Sequence, residues 1–369
     1  MAHGPRAMEA LAVNEARVDP TFWRGKRVFL TGHTGFKGAW LAIALSRLGA
    51  QVSGFALPPA TSPDLFSLAR VGDLLSVSHL ADLRDARAVG EALHDAAPDI
   101  VFHLAAQALV RRGYARPVET FATNFMGTVH LLDALRDARC VRVAAMITTD
   151  KVYSNREWQW PYRENDTLGG HDPYSASKAA SELAIDSYAR SILHEHGVRI
   201  ASARAGNVIG GGDWSEDRLL PDAIRAWSQG RVLEIRRPAA VRPWQHVLEP
   251  ITAYLVLAQR LWHGEAPPGP YNFGPDPRDA ADVRMVVEIA RDAWGAGARV
   301  AWGSGDDGPH EAGLLTLETA KARGVLGVSP RWSLRESIAR SVAWYRRQHA
   351  GEDARHLCVQ DIDAFAAAG

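Results

Sequence analysis

The chain has 369 residues, 47% apolar and 23% charged, a balance that can bury one large core or two moderate ones. Lysine plus arginine equals aspartate plus glutamate at 42 each, so no global field favours nucleic acid or an anionic membrane. The two cysteines, Cys140 and Cys358, have no metal-ligand spacing and are too few for a disulfide framework.

Residues 1–23 lack the continuous apolar stretch of a signal peptide, because Arg6, Glu9, Glu15 and Arg17 interrupt them. They read as a disordered or loosely packed leader. No uncharged run is long and unbroken enough to span a membrane, so a cytoplasmic location is expected. Lys26–Thr31 is a β-rich apolar run ending in glycines, and from Lys37 the residues Leu41, Ala44, Leu45 and Leu48 recur at helical steps until Gly49. Strand-like and helix-like segments then alternate: Gln51–Phe55, Asp99–Leu104, Val118–Leu135, Val141–Thr148, Pro173–Leu193 and Arg199–Ala203. This alternation implies right-handed crossovers and an α/β fold, a Rossmann-type doubly wound parallel sheet with a smaller C-terminal substrate-binding α/β lobe. The dinucleotide-binding domain is expected over 24–205 with a returning segment near 243–275. The lobe is expected over 206–242 and 276–350, and a C-terminal tail over 351–369.

Thr31-Gly-His-Thr-Gly-Phe-Lys-Gly38 joins the first strand to the first helix, with glycines at 32, 35 and 38. Such a turn lets the backbone approach a pyrophosphate, which then sits on free N–H groups at the positive end of the helix. A glycine triplet alone is an ordinary turn; its place after a strand and before a helix makes it a cofactor cradle. Gly32, His33, Thr34, Gly35, Phe36, Lys37 and Gly38 are therefore candidate cofactor-binding residues. Asp82 and Leu83 are placed to meet an adenine, and Leu104, Ala105 and Ala106 leave room for the dinucleotide. The second strand ends in Ser53-Gly-Phe-Ala-Leu57, without the carboxylate that usually selects NAD. His33 and Lys37 offer charge for a 2′-phosphate, so NAD and NADP both stay open.

Tyr174-Ser-Ala-Ser-Lys178 places a phenol and an ammonium one helical turn apart, behind a capping Asp172 and Pro173. A free tyrosine has a pKa of about 10, and lowering it by about three units takes roughly 4 kcal/mol. A neighbouring ammonium and a cationic nicotinamide in a dry site supply an effect of that size. Tyrosinate then removes a hydroxyl proton as hydride leaves the same carbon. Thr148-Thr-Asp-Lys151 ends the preceding strand, where open α/β sheets hold ligands. Thr149 can bond the hydroxyl that Tyr174 deprotonates, while Asp150 and Lys151 add an acid and a base that hydride transfer alone does not need. As isolated features, a Tyr-Lys pair and a polar loop are common on helix and strand ends; the glycine turn upstream gives them meaning.

Eight segments together, TGHTGFKG, DLRD from Asp82, HLAAQALV, TNFMGTVHLL, TTDKVYSNREW, DPYSASK, RAGNVIGGGDW and RPWQHVLEP, resemble the CDP-glucose 4,6-dehydratases, a branch of the extended short-chain dehydrogenase/reductases. The resemblance runs from about Phe22 to Gly351. It implies a CDP-hexose substrate, a retained nicotinamide cofactor (NAD, with NADP open), and a homodimer or homotetramer built on the long helices. It implies C4 oxidation by Tyr174 with Lys178 and Thr149, loss of water across C5 and C6, and return of hydride to C6. Related dTDP-glucose enzymes carry Asp-Glu where this chain has Asp150-Lys151, which implies Asp150 as acid and Lys151 as base, or Lys151 orienting Asp150. Asn207, Arg218 and Arg242 fall where such enzymes hold the nucleotide diphosphate, Gln107 and Arg111 near the hexose, and His310-Glu311 in the lobe. Val152 stands where other members often have Cys. The alternatives are another nucleotide-sugar 4,6-dehydratase, a 4-epimerase, which needs no acid-base pair at 150–151, and a non-catalytic dinucleotide-binding protein.

Overall fold

In a computed structural model, residues 17–276, 279–303 and 313–368 are described. Seven strands form the central sheet: β1 (Arg27–Thr31), β2 (Gln51–Ala56), β3 (Val77–Leu80), β4 (Ile100–His103), β5 (Val143–Ile147), β6 (Arg199–Ala205) and β7 (Gly269–Phe273). Every pairing among them is parallel. Their order is β7-β6-β5-β4-β1-β2-β3, so the winding reverses between β1 and β4. A parallel sheet is buried on both faces, which is why its strands read as unbroken apolar runs. In β1, Val28 and Leu30 enter the core that holds Trp40 and Leu41 of α1 (Phe36–Arg47), while Phe29 enters the opposite core with Val89 and Leu93 of α2 (Ala86–Ala96). Beside them, Gly127–Ala134 and α3 (Pro173–Tyr188) lie on the α2 side, through Leu131, Leu132 and Ile185, and α4 (Leu248–His263) lies on the α1 side, through Leu255 and Val256.

Beyond β6 the chain builds a smaller layer over the carboxyl edge of the sheet. Val232–Ile235 pairs in parallel with Arg299–Trp302, and Val241–Arg242 pairs antiparallel with Ala281–Asp282. Val208–Ile209 and Gln245–His246 pair beneath it and lead back into α4.

Three differences from the sequence reading have local causes. The leader is not loose at its end: Pro20–Trp23 is a helical turn capped by Asp19, and Trp23 is fully buried, with its ring stacked 6.1 Å from Phe102. The C-terminal tail, to which the sequence reading assigns no element, carries one: Ala354–Ala367 forms a helix that buries Leu357, Cys358 and Phe365. The helical stretch after Pro117 carries a π-turn at Ala122–Met126, where Asn124 is buried and its side chain bonds Gln107 and Ser177. A hydrophobic anchor so far from the site gives a stability test. Trp23→Ala should cost about 3–5 kcal/mol in denaturant unfolding, the range for emptying a buried aromatic site.

Candidate active site

The corner after β1 is closed to any side chain. Gly32 has φ of +78°, and a Cβ there would lie 2.7 Å from Ala105 N; one on Gly38 would lie 2.0 Å from Gly32 O. The turn is drawn onto β4 by Thr31, whose hydroxyl accepts the N–H groups of Leu104 and Ala105, both at 3.1 Å, and bonds His103 Nδ1 at 2.8 Å. His103 Nε2 continues to Thr128, and burial pushes its pKa down to about 3, so the ring is a neutral link. No side chain caps α1, which leaves its first N–H groups facing the cleft.

That cleft, about 1000 Å³, runs between the carboxyl edge of the sheet and the smaller layer. Of the residues expected to hold the cofactor, Gly32, Thr34, Gly35, Phe36, Lys37, Gly38, Asp82, Leu83, Leu104, Ala105 and Ala106 all line it. His33 does not. Its ring is buried against Gly54 with Nε2 bonded to Ser78 Oγ at 2.8 Å, and burial lowers its pKa to about 4. The expectation that it neutralises a phosphate is therefore corrected: it is an uncharged packing group. Lys37 reaches the other end of the cleft. Its charge interacts with Arg218, Lys178, Asp150 and Lys151, which places it at the proton-transfer end of the cleft rather than at an adenosine ribose.

Asp172 caps α3 by accepting Ser175 N at 3.0 Å, with Pro173 in the first turn. This sets Tyr174, 8% exposed, and Lys178, 4% exposed, against the end of β5. Lys178 Nζ donates to Ile147 O at 3.2 Å, and the Thr149 hydroxyl meets the Tyr174 phenol. Asp150 is only 1% exposed; its Oδ1 accepts from Thr149 Oγ1 at 2.9 Å and Lys151 Nζ at 3.2 Å, while its buried Oδ2 has no partner. Lys151 also reaches Asn207 Oδ1 at 3.4 Å.

The expected substrate residues divide. Asn207, Arg218 and Arg242 line the cleft, with Arg218 donating to Ala108 O at 3.4 Å and Arg242 to Val241 O at 2.8 Å. Arg111 lines it too, and is held across the mouth by Asp217 at 2.8 Å. Gln107 lines it as well, while its amide donates to Thr120 at 3.0 Å and accepts from Leu109 N at 2.7 Å and so braces the loop after β4. His310 and Glu311 lie outside the described residues. Ser154, Asn155, Glu157 and Arg236 also line the cleft, though only the Asn155-Arg-Glu-Trp158 string pointed to any of them beforehand.

Comparison with known proteins places this geometry. A model of the NAD dependent epimerase/dehydratase family matches residues 28–274. The chain belongs to that family. It is 46% identical to the CDP-glucose 4,6-dehydratase of Salmonella typhimurium over 95% of this chain and 99% of that one. It is 33% identical to a dTDP-glucose 4,6-dehydratase of Streptomyces antibioticus over 73% of this chain and 76% of that one. Among solved structures, MoeE5 in complex with UDP-glucose and NAD shares the fold with a TM-score of 0.73 at 24% identity, over 87% of this chain and 99% of that one.

Within this family member the charges of the site are tuned mainly by burial. The anticipated fall in the Tyr174 pKa is not produced by the chain alone: burial raises it, opposed by the Thr149 hydrogen bond and by Arg218. Lys178 is brought down to about 8 by burial, against the pull of Glu182. Lys37 comes down to about 7 by burial and by the cations around it. Lys37, Lys151 and Arg218 line this end of the cleft, with Lys178 buried nearby, and together they make a site for negative charge, whether phenolate or phosphate.

The buried ammonium has a cost to the fold. Lys178 binds its proton less tightly in the native state than in the unfolded chain, so the penalty is full below about pH 8 and fades towards the ordinary value of 10.5. Lys178→Met should therefore gain about 1–3 kcal/mol of stability at neutral pH, measured by thermal unfolding, with the gain vanishing as pH rises through that window.

Proposed function

We propose that the chain converts CDP-glucose to CDP-4-keto-6-deoxyglucose by an internal redox elimination with NAD recycled in each turnover. The observation that carries this reading is the Asp150-Lys151 pair beside Thr149 and Tyr174 at the end of β5: an acid and a base beyond those that hydride transfer uses. Tyr174 takes the C4 hydroxyl proton while Thr149 holds that hydroxyl and the Lys178 charge stabilises the phenolate. Held at the corner by Gly32, Gly35, Gly38 and the free N–H groups of α1, NAD would supply the acceptor for the C4 hydride and its donor to C6, together with a positive charge that would offset the burial of the phenol. The 4-ketone acidifies C5; Lys151 removes that proton and Asp150, through its unpartnered oxygen, protonates the departing C6 hydroxyl, which leaves as water. Lys151 returns its proton to C5 as hydride reaches C6, and the proton gained by Tyr174 makes good the one that Asp150 gave. Asn207, Arg218 and Arg242 hold the diphosphate and nucleoside, arginine forks matching phosphate oxygens. The uncharged lining at the end of β2, Ala56, Leu57, Pro58 and Ala60, with His33 neutral, supports NAD rather than its 2′-phosphate.

We also propose that two copies pair through the helices beside the site. Val118 (82% exposed), Leu183 (62%), Met126 (41%) and Phe121 (38%) leave apolar surface on α3 and on the helical run packed against it. This fits a second copy of the same helices in an isologous contact.

Incubated with CDP-glucose, CDP-galactose, and dTDP-, UDP- and GDP-glucose, the chain should form an alkali-absorbing 4-keto product with CDP-glucose preferred. A deuterium label at C4 should reappear at C6, and Tyr174→Phe should lower kcat by about 10²–10⁴. A new hexose without a ketone would indicate an epimerase, and turnover of another nucleotide sugar but not CDP-glucose would reject the assignment. Val118→Glu with Leu183→Glu should shift the sedimenting species from dimer to monomer.

A further inference from the structure

One helical turn beyond Lys178, on the same face of α3, lies a second buried charge that the mechanism does not use. Glu182 is 4% exposed and each of its oxygens is taken. Thr148 Oγ1 donates to Oε1 at 2.5 Å; Ser202 Oγ and Arg204 Nη2 donate to Oε2 at 2.7 and 2.8 Å. Arg204, 2% exposed, also donates to Tyr153 Oη at 2.9 Å and Glu164 O at 3.0 Å. Tyr153 Oη donates to Asn272 Oδ1 at 2.6 Å, so the network ties α3 to β5, β6 and β7.

The geometry is informative where it meets β5. Lys178 holds the carbonyl of Ile147, and Glu182 holds the hydroxyl of the next residue, Thr148. The residue after that is Thr149, which meets the Tyr174 phenol. Two side chains of α3 thus fix the consecutive residues that aim Thr149. The groups facing Lys178 are Glu182 and Tyr174 on its own helix, Lys37 from the glycine turn and neutral His103 from β4. Of these, only Glu182 carries negative charge while Tyr174 is protonated.

We infer that Glu182 is a positioning residue for the redox pair: it pins the end of β5 to α3 so that Thr149 stays on the phenol, and it holds the Lys178 ammonium in its charged form. A buried ion pair is a poor source of net stability, because desolvation offsets the attraction. The placement of this one, against the reacting pair, gives it a different use. The inference rests on Tyr174 and Lys178 acting as proposed above.

The first readout needs no turnover. Protein labelled at lysine Cε is titrated by NMR, with the Lys178 signal assigned by its loss in Lys178→Met. Native Lys178 should titrate near the about 8 set by its surroundings. Glu182→Gln keeps the size of the side chain but removes its charge, so the Lys178 midpoint should fall by about one pH unit or more. With CDP-glucose, kcat of Glu182→Gln should drop roughly ten- to a hundredfold at neutral pH with KM within about threefold of native. Its alkaline limb should move to lower pH by the same amount as the Lys178 midpoint. Thr148→Val, which removes only the pin to β5, should lower kcat without moving that limb, and serves if Glu182→Gln fails to fold. An unmoved Lys178 midpoint in folded Glu182→Gln, or native kcat in Thr148→Val, would overturn the inference. If the native chain itself leaves CDP-glucose unchanged, the function reading fails instead, and the NMR titration still decides whether Glu182 holds the Lys178 charge.

Discussion

The backbone contact at the first βα corner is the constraint on which the site depends. Gly38 packs so closely on the carbonyl of Gly32, and Gly32 on the backbone after β4, that neither tolerates a single methyl group. Thr31 and His103 then hold β1 and β4 in register at the point where the winding reverses. Because no side chain intervenes, the free N–H groups of α1 open directly onto the cleft, and the carboxyl ends of β4 and β5 stand opposite them. A dinucleotide cradle and a proton-transfer pair can share one cleft only with that spacing.

Burial then sets the chemistry. The same dry surroundings that raise the Tyr174 phenol lower the Lys178 and Lys37 ammoniums, so no partner alone is poised for reaction. Each cation needs an anion and the phenolate needs cations. The site is therefore arranged for a proton to leave the phenol when positive charge arrives, and for that charge to be returned at the end of a cycle. Glu182 sits behind the pair with both oxygens bonded and stays out of the cleft.

The exposed apolar residues on α3 connect the interior to the surface. Tyr174 lines the cleft, with Lys178 buried one turn along the same helix, on which Leu183 is exposed. A second copy packed there would cover the helix that carries the reacting pair.

Periodicity and motif spacing by themselves determined the parallel sheet, the glycine corner, the Tyr174–Lys178 turn and the Asp150-Lys151 pair, because each depends on residues close together in the chain. Local sequence dictates strand period, helix register and caps, and those elements appear where the pattern puts them. Only the tertiary structure decided which polar groups reach the cleft. His33 sits in the glycine turn yet turns inward to Ser78, from 45 residues away in sequence. Gln107 lines the cleft and at the same time braces Thr120 and the loop backbone with its amide. Lys37 points to the proton-transfer end, and Glu182 finds Arg204 across two strands. Burial and hydrogen-bond partners are set by chain segments that meet only on folding, and no window of sequence contains both sides of such a contact.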